Sequence, residues 1–305
     1  MKKKVQHYVF QAYLKPWANN GQICCLRNGK IFFSNLSGVA CERFFYKLQD
    51  LTPEEVRLID QTLIEGSAEP LRALQRRFLY WYSLPLEMRK DAEHQAESKL
   101  TSALDEIIVN AGEDYHQQIE NSLLVFLNSM LAGDTGFYSD DRQAVQFLYA
   151  LSVQFTRTKQ VREAALAQFG AIFNGCDVRR VFGVLSYLIA MSVGQGLFID
   201  RKRFRLILIE NSTDTPFITA DQPIINLHGT PDGKPPEKLE FFYPLSPTKA
   251  MLFVEASTKL SDAPISAIAV NNYNVLLVQN SHEQVFSNSE EYLNSIRGVV
   301  KREKG

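Results

Sequence analysis

The stretch Ser139–Gly170, SDDRQAVQFLYALSVQFTRTKQVREAALAQFG, sets the pattern for the chain because it contains no proline and no glycine before its last residue. Ser139 and the two acids after it can accept hydrogen bonds from the first N–H groups of a helix, and the acids suit its positive end. Gly170 is typical of a helix end. The spacing predicts one continuous helix of about 28 residues, roughly 42 Å long.

One face of this predicted helix mixes apolar and polar side chains. Apolar residues recur at the helical period, at Phe147, Leu148, Leu151 and Phe155. The same arc contains Gln154, Thr158 and Arg162, with Arg157 at its edge. Polar groups on a buried face are costly unless each finds a partner. The face therefore indicates either a polar site or the point at which the helix leaves the core.

The overall composition is that of an ordinary folded protein. The chain has 305 residues, of which 45% are hydrophobic and 22% charged, enough for one large core or two smaller ones. The net charge of −1 provides no general basic field for nucleic acid or membrane, although a local basic site remains open. The four cysteines show neither CxxC nor zinc spacing, so we expect reduced thiols and a cytoplasmic protein.

An uncharged run, Val181–Ile199, is long enough to cross a bilayer. Serine and glycine residues weaken that interpretation, and Gly194-Gln195-Gly196 is typical of a helix end. We therefore predict a buried helix and no membrane contact.

The order of predicted elements indicates an α+β fold. Two β-rich runs, Gln22–Leu26 and Lys30–Ser34, flank Asn28-Gly29, a strong hairpin signal. Helices are predicted over 53–64, 69–82, 85–109, 114–132, 140–169 and 177–194. The last third predicts an antiparallel or mixed sheet with one or two helices, which the early hairpin can join. We expect one domain over 1–305, with an N-terminal segment and hairpin (1–50), a helical region (51–200) and a β-rich region (201–305).

The predicted helix 114–132 places charge on an apolar face. His116 and Glu120 project into that face one turn apart. Since a carboxylate in an apolar setting is either exposed or paired, Arg157 or Arg162 of the long helix is the expected partner of Glu120.

Four segments together resemble a bacterial family, domain of unknown function 4238. His7–Leu14 (HYVFQAYL) is similar to its opening His-Tyr-Val-Pro-Gln-x-Tyr-Leu, and Gln154–Arg162 is similar to its Gln-x-x-Arg-Thr-Pro-x-x-Arg helix. Phe217–Pro223 resembles Phe-Ile-Thr-Ser-Asp-x-Pro, and Tyr243–Pro247 resembles Pro-Leu-Ser-Pro. Phe10 and Lys159 stand where the family has proline; without proline at 159, the long helix is expected to continue undisturbed.

The resemblance implies a role in defence against phages, because members resemble proteins carried in mobile defence loci. It implies a toxic or degradative effector, often a nuclease, that is activated by a phage-encoded trigger. This expectation comes from the association of the family and not from the chemistry of the residues.

The polar residues that resist a purely structural interpretation form the candidate site. The predicted catalytic residues are His7, Glu120, Gln154, Arg157 and Asp221, and the predicted substrate-binding residues are Gln11, Thr158 and Arg162. A histidine can act as base or acid near neutrality, and arginines can grip phosphate. Glu120 and Asp221 are candidate Mg²⁺ ligands. The set fits a metal-dependent or histidine-driven nuclease, with RNA favoured over DNA.

Structural and non-enzymatic alternatives stand beside this prediction. Asp221 can be a turn residue that caps its own backbone, Glu120 can form a buried bridge, and His7 can be a core histidine. A sensor would instead bind a phage component or nucleotide in the same cleft or on the 228–238 loop. P-loop, dinucleotide-binding, HExxH and GxSxG motifs are absent from the sequence. The aromatic cluster Phe78, Tyr80, Trp81 and Tyr82 is attributed to core packing rather than to base stacking.

Overall fold

The computed structural model describes residues 4–170, 177–229, 238–259 and 263–298. Its helices are α1 (Gln11–Leu14), α2 (Pro53–Ile59), α3 (Leu71–His94), α4 (Ser98–Leu131), α5 (Asp141–Thr156), α6 (Lys159–Phe169), α7 (Val178–Ile199), α8 (Ala267–Asn280) and α9 (Glu290–Ile296). Its strands are β1 (Val5–His7), β2 (Ala18–Asn19), β3 (Gln22–Arg27), β4 (Lys30–Asn35), β5 (Cys41–Arg43), β6 (Phe204–Glu210), β7 (Thr219–Ala220), β8 (Ile225–Asn226), β9 (Phe241–Ser246), β10 (Lys249–Glu255) and β11 (Gln284–Ser287).

The strands form two sheets and a two-stranded ribbon. One sheet has the order β6-β10-β9-β8, and the other has the order β2-β3-β11-β7 with β4 paired to β3. The ribbon pairs β1 with β5. Every strand pair among the described residues is antiparallel. The α+β prediction is confirmed, as is the expectation that the early hairpin joins the late sheet, since β3 pairs with β11.

The predicted hairpin turn is also confirmed. Asn28 and Gly29 have φ angles of +50° and +68°, the left-handed conformation that a tight two-residue turn requires. The strands continue in register from Arg27 opposite Lys30. Alternation along β3 places Cys24 in a second apolar cluster and Cys25 in the main one, so these neighbours face opposite sides as predicted.

The apolar helix α7 packs against α3, α5 and α6. Among the described residues it is the one helix whose length and composition would allow it to cross a membrane, and more than half of its apolar window is buried inside the protein. The predicted burial of this run is therefore confirmed.

The prediction of a single long helix over 140–169 is wrong, because the segment forms two helices, α5 and α6, that are separated at Arg157 and Thr158. Thr158 leaves the helical conformation (φ −82°, ψ 161°), and its side chain caps α6 by accepting a hydrogen bond from the N–H of Val161. Lys159 is the first residue of α6, the helical position that best tolerates proline. The proline of the family motif would therefore suit this structure, and its absence does not preserve a continuous helix.

Other helix boundaries also differ from the prediction. Pro85 lies inside α3, and α4 runs without interruption through the positions at which we predicted a break near 110. Tertiary packing overrides such local signals. The segment 216–223 contributes only the two-residue strand β7, and most of the 228–238 loop lies outside the described residues.

The main apolar cluster draws on all three sub-regions of the chain. Leu14 and Trp17 come from the N-terminal segment, Phe147 from the helical region, and Tyr243 and Phe286 from the β-rich region. This shared core positions the N-terminal segment against α4 and α5, and the candidate site lies at that junction.

Candidate functional site

An open cleft with a volume of about 290 Å³ lies between the N-terminal segment and α4. His7, Phe10 and Gln11 line it from one side, and Glu120 lines it from α4. His7 ends β1, and Gln11 begins α1, so one short turn presents both side chains. The structure thus brings two N-terminal candidates into one cleft with a carboxylate that is more than a hundred residues away in sequence.

The imidazole of His7 is half-buried at the edge of this cleft. Its Nε2 lies 3.3 Å from the carbonyl oxygen of Ser37 and 3.5 Å from the amide nitrogen of Gln11. Donation to Ser37 places the proton on Nε2 and leaves Nδ1 as the basic nitrogen. Burial lowers the pKa of His7 from its ordinary 6.5 and outweighs the Ser37 carbonyl and the Glu120 carboxylate, which raise it. His7 is therefore neutral at pH 7.

Phe10 replaces the proline of the family motif without disturbing the backbone. Its φ of −73° falls within the range that a proline ring imposes, so either residue fits before α1. The phenyl ring lies 5.7 Å from the Arg157 guanidinium carbon, within reach of a cation–π contact. Phe10 therefore lines the cleft on one side and covers Arg157 on the other.

Arg157 forms the centre of a buried cluster behind the cleft. Only 2% of its side chain is exposed. It donates to Glu120 at 2.7 Å, to Gln154 at 2.7 Å and to Nδ1 of His116 at 3.2 Å. Burial alone would lower the pKa of Arg157, but Tyr46 and Glu120 raise it above its ordinary value, and the guanidinium stays charged. The expected pairing of Glu120 with an arginine is confirmed.

His116 is buried between two aromatic rings and is neutral. Its ring centroid lies 3.8 Å from that of Tyr46 and 5.0 Å from that of Tyr187. Burial first, and then the Arg157 charge, lower its pKa well below 6.5. Tyr46 approaches α4 closely because residue 112 is glycine; a Cβ there would overlap the Tyr46 carbonyl oxygen. Residue 112 falls in the break that we predicted between helices 85–109 and 114–132, so neither the helix at this position nor the close approach was predicted.

The cluster is incompletely hydrogen-bonded. Within the described part of the chain, Nε of Arg157, Nε2 of His116 and Nε2 of Gln154 are buried without a hydrogen-bond partner. Each such group costs about 1–3 kcal/mol. Native proteins keep few of these groups, and functional sites are one place where they occur.

Asp221 has a different environment. Its carboxylate oxygens accept three backbone hydrogen bonds, from His282 at 2.8 Å, Glu283 at 2.8 Å and Gln284 at 3.0 Å. Burial raises the pKa of this carboxyl to about 6, against the three N–H donors, which lower it. The contacts are those of a residue that fixes the turn before β11, which is a structural role. The alternative considered from the sequence was a cap of its own turn, whereas the three donors lie 61 to 63 residues away in the chain.

Thr158 and Arg162 do not line the cleft. Thr158 is fully buried, caps α6 and donates to the side-chain oxygen of Gln222, so the two sequence motifs pack on each other. The guanidinium of Arg162 lies 5.1 Å from the centre of the Phe45 ring and 3.8 Å from Glu42. These contacts favour structural roles for both side chains.

The candidate Mg²⁺ ligands do not fit one ion. Glu120 faces Arg157, whereas both oxygens of Asp221 are engaged by the backbone before β11. The described residues contain no group of three histidine, cysteine, aspartate or glutamate side chains placed to hold a metal. Glu120 and Asp221 therefore do not share one Mg²⁺ ion.

The aromatic cluster on α3 divides between core and surface. Phe78 packs against the core and Tyr82 is buried, as predicted, but Tyr80 and Trp81 are 58% and 55% exposed. The attribution of all four rings to core packing is wrong for these two, because α3 turns one side to the solvent.

Of the eight predicted site residues, five lie in or directly behind the cleft: His7, Gln11, Glu120, Gln154 and Arg157. Sequence reasoning missed Tyr46, whose ring packs on His116, and it attributed His116 to an ordinary helix face. It also missed Gln117 and Asn121, which line the cleft from α4. The visible signals were the spacing of Gln117 from Glu120 (three residues) and from Asn121 (four residues), and the spacing of four residues between His116 and Glu120.

These features define the chain as an α+β protein with a half-open polar cleft backed by a buried arginine. It belongs to the family described as "Protein of unknown function (DUF4238)", whose model matches residues 5–176 and 185–291. No curated protein and no solved structure matches the chain.

Proposed function

We propose that this protein is an effector of anti-phage defence that cleaves RNA in the His7 cleft. The observation that carries the proposal is the placement of a neutral histidine, an amide and a carboxylate around one open cavity, with a charged arginine held behind the carboxylate. A base with a pKa near the working pH is what proton abstraction requires. The association of the family with phage defence supplies the biological setting.

The reaction assigned to the cleft is attack by the ribose 2′-hydroxyl. Nδ1 of His7 takes the hydroxyl proton, the 2′-oxygen bonds to the adjacent phosphorus, and the bond from phosphorus to the 5′-oxygen breaks. The leaving oxygen takes a proton from solvent at the open mouth of the cleft. The products are a 2′,3′-cyclic phosphate and a 5′-hydroxyl, so DNA, which lacks the attacking group, is not a substrate of this reaction.

Gln11, Arg157 and Glu120 position the reacting groups and set the charge of the cleft. Gln11 lies beside Nε2 of the His7 ring and not beside the basic Nδ1, so its role is to hold the ring in place. Arg157 is a positioning residue because its guanidinium reaches Glu120 and not the cavity. The ion pair also cancels the Glu120 charge, which reduces the repulsion that a phosphate would meet there.

The test is cleavage of an end-labelled single-stranded RNA by wild-type protein and by His7→Gln. We expect at least about a hundredfold loss of rate in the variant, as for removal of a general base. The wild-type rate should fall on acidification below pH 6.5, because His7 must be unprotonated, and this acid limb should disappear with His7→Gln. Chelator should leave the rate unchanged.

His94→Gln is the matched control, since His94 is an exposed histidine at the end of α3 and outside the cleft. A 2′-deoxy substitution at the cleaved position should stop the reaction. Full cleavage by folded His7→Gln protein, or equal cleavage of the deoxy substrate, would remove the proposed mechanism. Phage plaque counts on cells expressing the same pair test the defence role.

The acidic lining favours a second candidate, a non-enzymatic sensor. Glu113 and Glu120 both face the cleft, and carboxylates attract ligands rich in hydrogen-bond donors. Such a sensor would bind a donor-rich phage component there without turnover. A nucleotide would bind only through its uncharged base, because its phosphates would meet carboxylates. Stoichiometric binding with no cleaved product under single-turnover conditions would favour the sensor over the nuclease.

A further inference from the structure

One face of α4 presents a set of polar side chains to the cleft. Glu113, Gln117, Glu120 and Asn121 all line the cavity, at the intervals that place residues on one side of a helix. Phe10 and Leu124 add apolar surface to the same cavity. A planar ligand in this cavity would therefore meet both polar and apolar side chains.

The charge of the cleft shows which part of a nucleic acid suits it. The described residues that line it include two glutamates and no lysine or arginine. The carboxylates would repel a phosphate inside the cavity but not an uncharged base, so the interior suits the base and the open mouth beside His7 suits the scissile phosphate. The volume of about 290 Å³ lies near the lower end of small-ligand pockets, which suits one base or nucleoside and not a duplex.

The chemistry of the side chains distinguishes between bases. Amides of glutamine and asparagine both donate and accept, and pair with the edge of adenine. A carboxylate only accepts, and pairs with an exocyclic amino group such as that of cytosine. Uracil has carbonyl oxygens in place of an exocyclic amine, and these would face the glutamates unfavourably.

We infer that Glu113, Gln117 and Asn121 form a base-reading subsite that selects a base carrying an exocyclic amino group over uracil. The inference rests on the proposed function only in taking nucleic acid as the ligand. These three residues are specificity-determining, and His7 remains the group that moves the proton.

The test measures dissociation constants of short oligocytidylate, oligoadenylate and oligouridylate, with cytidine and uridine as minimal probes. Wild type should bind the cytidine and adenine forms at least about fivefold more tightly than the uridine form, the scale of one good base contact. The double variant Gln117→Ala/Asn121→Ala and the single variant Glu113→Gln should each reduce this ratio to near one.

Gln118→Ala is the matched control, because Gln118 is an exposed glutamine on another side of α4. It should retain the wild-type ratio, and circular dichroism should show all variants folded. Equal binding of the three oligomers by wild type, or an unchanged ratio in the folded double variant, would overturn the inference.

The two proposals fail separately. Base preference that is lost in the subsite variants, together with no cleavage of any RNA, supports the subsite and removes the nuclease. Cleavage that depends on His7 but keeps its base preference in the double variant supports the nuclease and overturns the subsite.

Discussion

The Arg157 cluster and the Asp221 turn both bury a charge, but they satisfy it in different ways. Asp221 accepts three hydrogen bonds from the backbone of one segment, so its environment is complete without any other side chain. Arg157 donates to side chains from α4 and α5, and one of them, Glu120, opens onto the cleft.

This difference in hydrogen-bond partners distinguishes the structural charge of Asp221 from the charge of Arg157, which lies beside a cavity. Backbone donors fix a turn and are independent of side-chain chemistry, whereas a cluster of side chains can transmit a change in one member to another. Three of the buried nitrogens without a hydrogen-bond partner among the described residues belong to the Arg157 cluster, and one of the three is on Arg157 itself. We therefore expect substitutions there to affect stability and activity together, and substitutions at Asp221 to affect stability alone.

The largest expected effect is that of Arg157→Leu. Removing the guanidinium leaves the Glu120 carboxylate without its partner, which for buried pairs costs about 3–5 kcal/mol of unfolding free energy. Glu120 is 22% exposed, so we expect the lower end of that range. Urea unfolding measures the loss, and RNA cleavage by the residual folded protein should fall as well.

Two controls sharpen this test. Arg162→Leu removes two looser ion pairs, at 3.8 Å from Glu42 and at 3.5 Å from Glu163, and should cost about 1 kcal/mol or less. The double variant Arg157→Leu/Glu120→Leu should recover part of the stability but no activity. A stable and fully active Arg157→Leu protein would contradict the assigned role.

Asp221→Asn should have an intermediate effect on stability and none on turnover per folded molecule. The amide group can replace only part of the carboxylate, and one or more backbone N–H groups lose their acceptor, at about 1–3 kcal/mol. Urea unfolding with and without the substitution measures this cost. A loss of cleavage per folded molecule would place Asp221 back among the catalytic residues and erase the contrast with Arg157.

The same pair of proteins gives a pH test. Burial raises the pKa of Asp221 to about 6 from an ordinary 3.8, so the folded state binds this proton more tightly than the unfolded chain. Its contribution to stability is then greatest below pH 4 and declines as the pH rises to 6. The difference in unfolding free energy between wild type and Asp221→Asn should decrease across that window and remain constant above it.

Thr158→Ala should have the smallest effect, because Thr158 joins the two regions through a cap and one side-chain contact. Loss of the cap of α6 costs about 1 kcal/mol. Thr158→Ser retains the hydroxyl and should remain near wild type in the same urea titration. Equal destabilisation by both variants would show that the methyl group, and not the hydrogen bonds to Val161 and Gln222, supports this junction.

Local signals in the sequence predicted which helices and strands form more reliably than the residues at which they begin and end. Asn28-Gly29 fixed its hairpin because a two-residue turn requires left-handed backbone at both positions. The separation of α5 from α6 at Thr158 was missed because Thr158 lies within an uninterrupted helical pattern of apolar residues. Its capping role requires an extended backbone, which that pattern does not indicate. Pro85 was given too much weight, since packing of α3 tolerates it.

For the site, the sequence predicted that Glu120 pairs with an arginine, but it did not predict which side chains face the cleft. A carboxylate on one apolar helix face and arginines on another indicated that Glu120 would find an arginine. The sequence did not show that Arg157 faces inward while Glu120 borders the cleft, or that Asp221 meets the backbone before β11. Those choices depend on how helices and strands far apart in the chain pack together.

The sequence by itself determined the α+β order, the hairpin and the need for buried charges to be paired, because these follow from hydrogen-bond and burial requirements within short segments. Only the tertiary structure decided which polar residues share a cleft. It joined His7 to Glu120 and separated both from the acceptor site of Asp221, since contacts across more than a hundred residues are set by the packing of one common core.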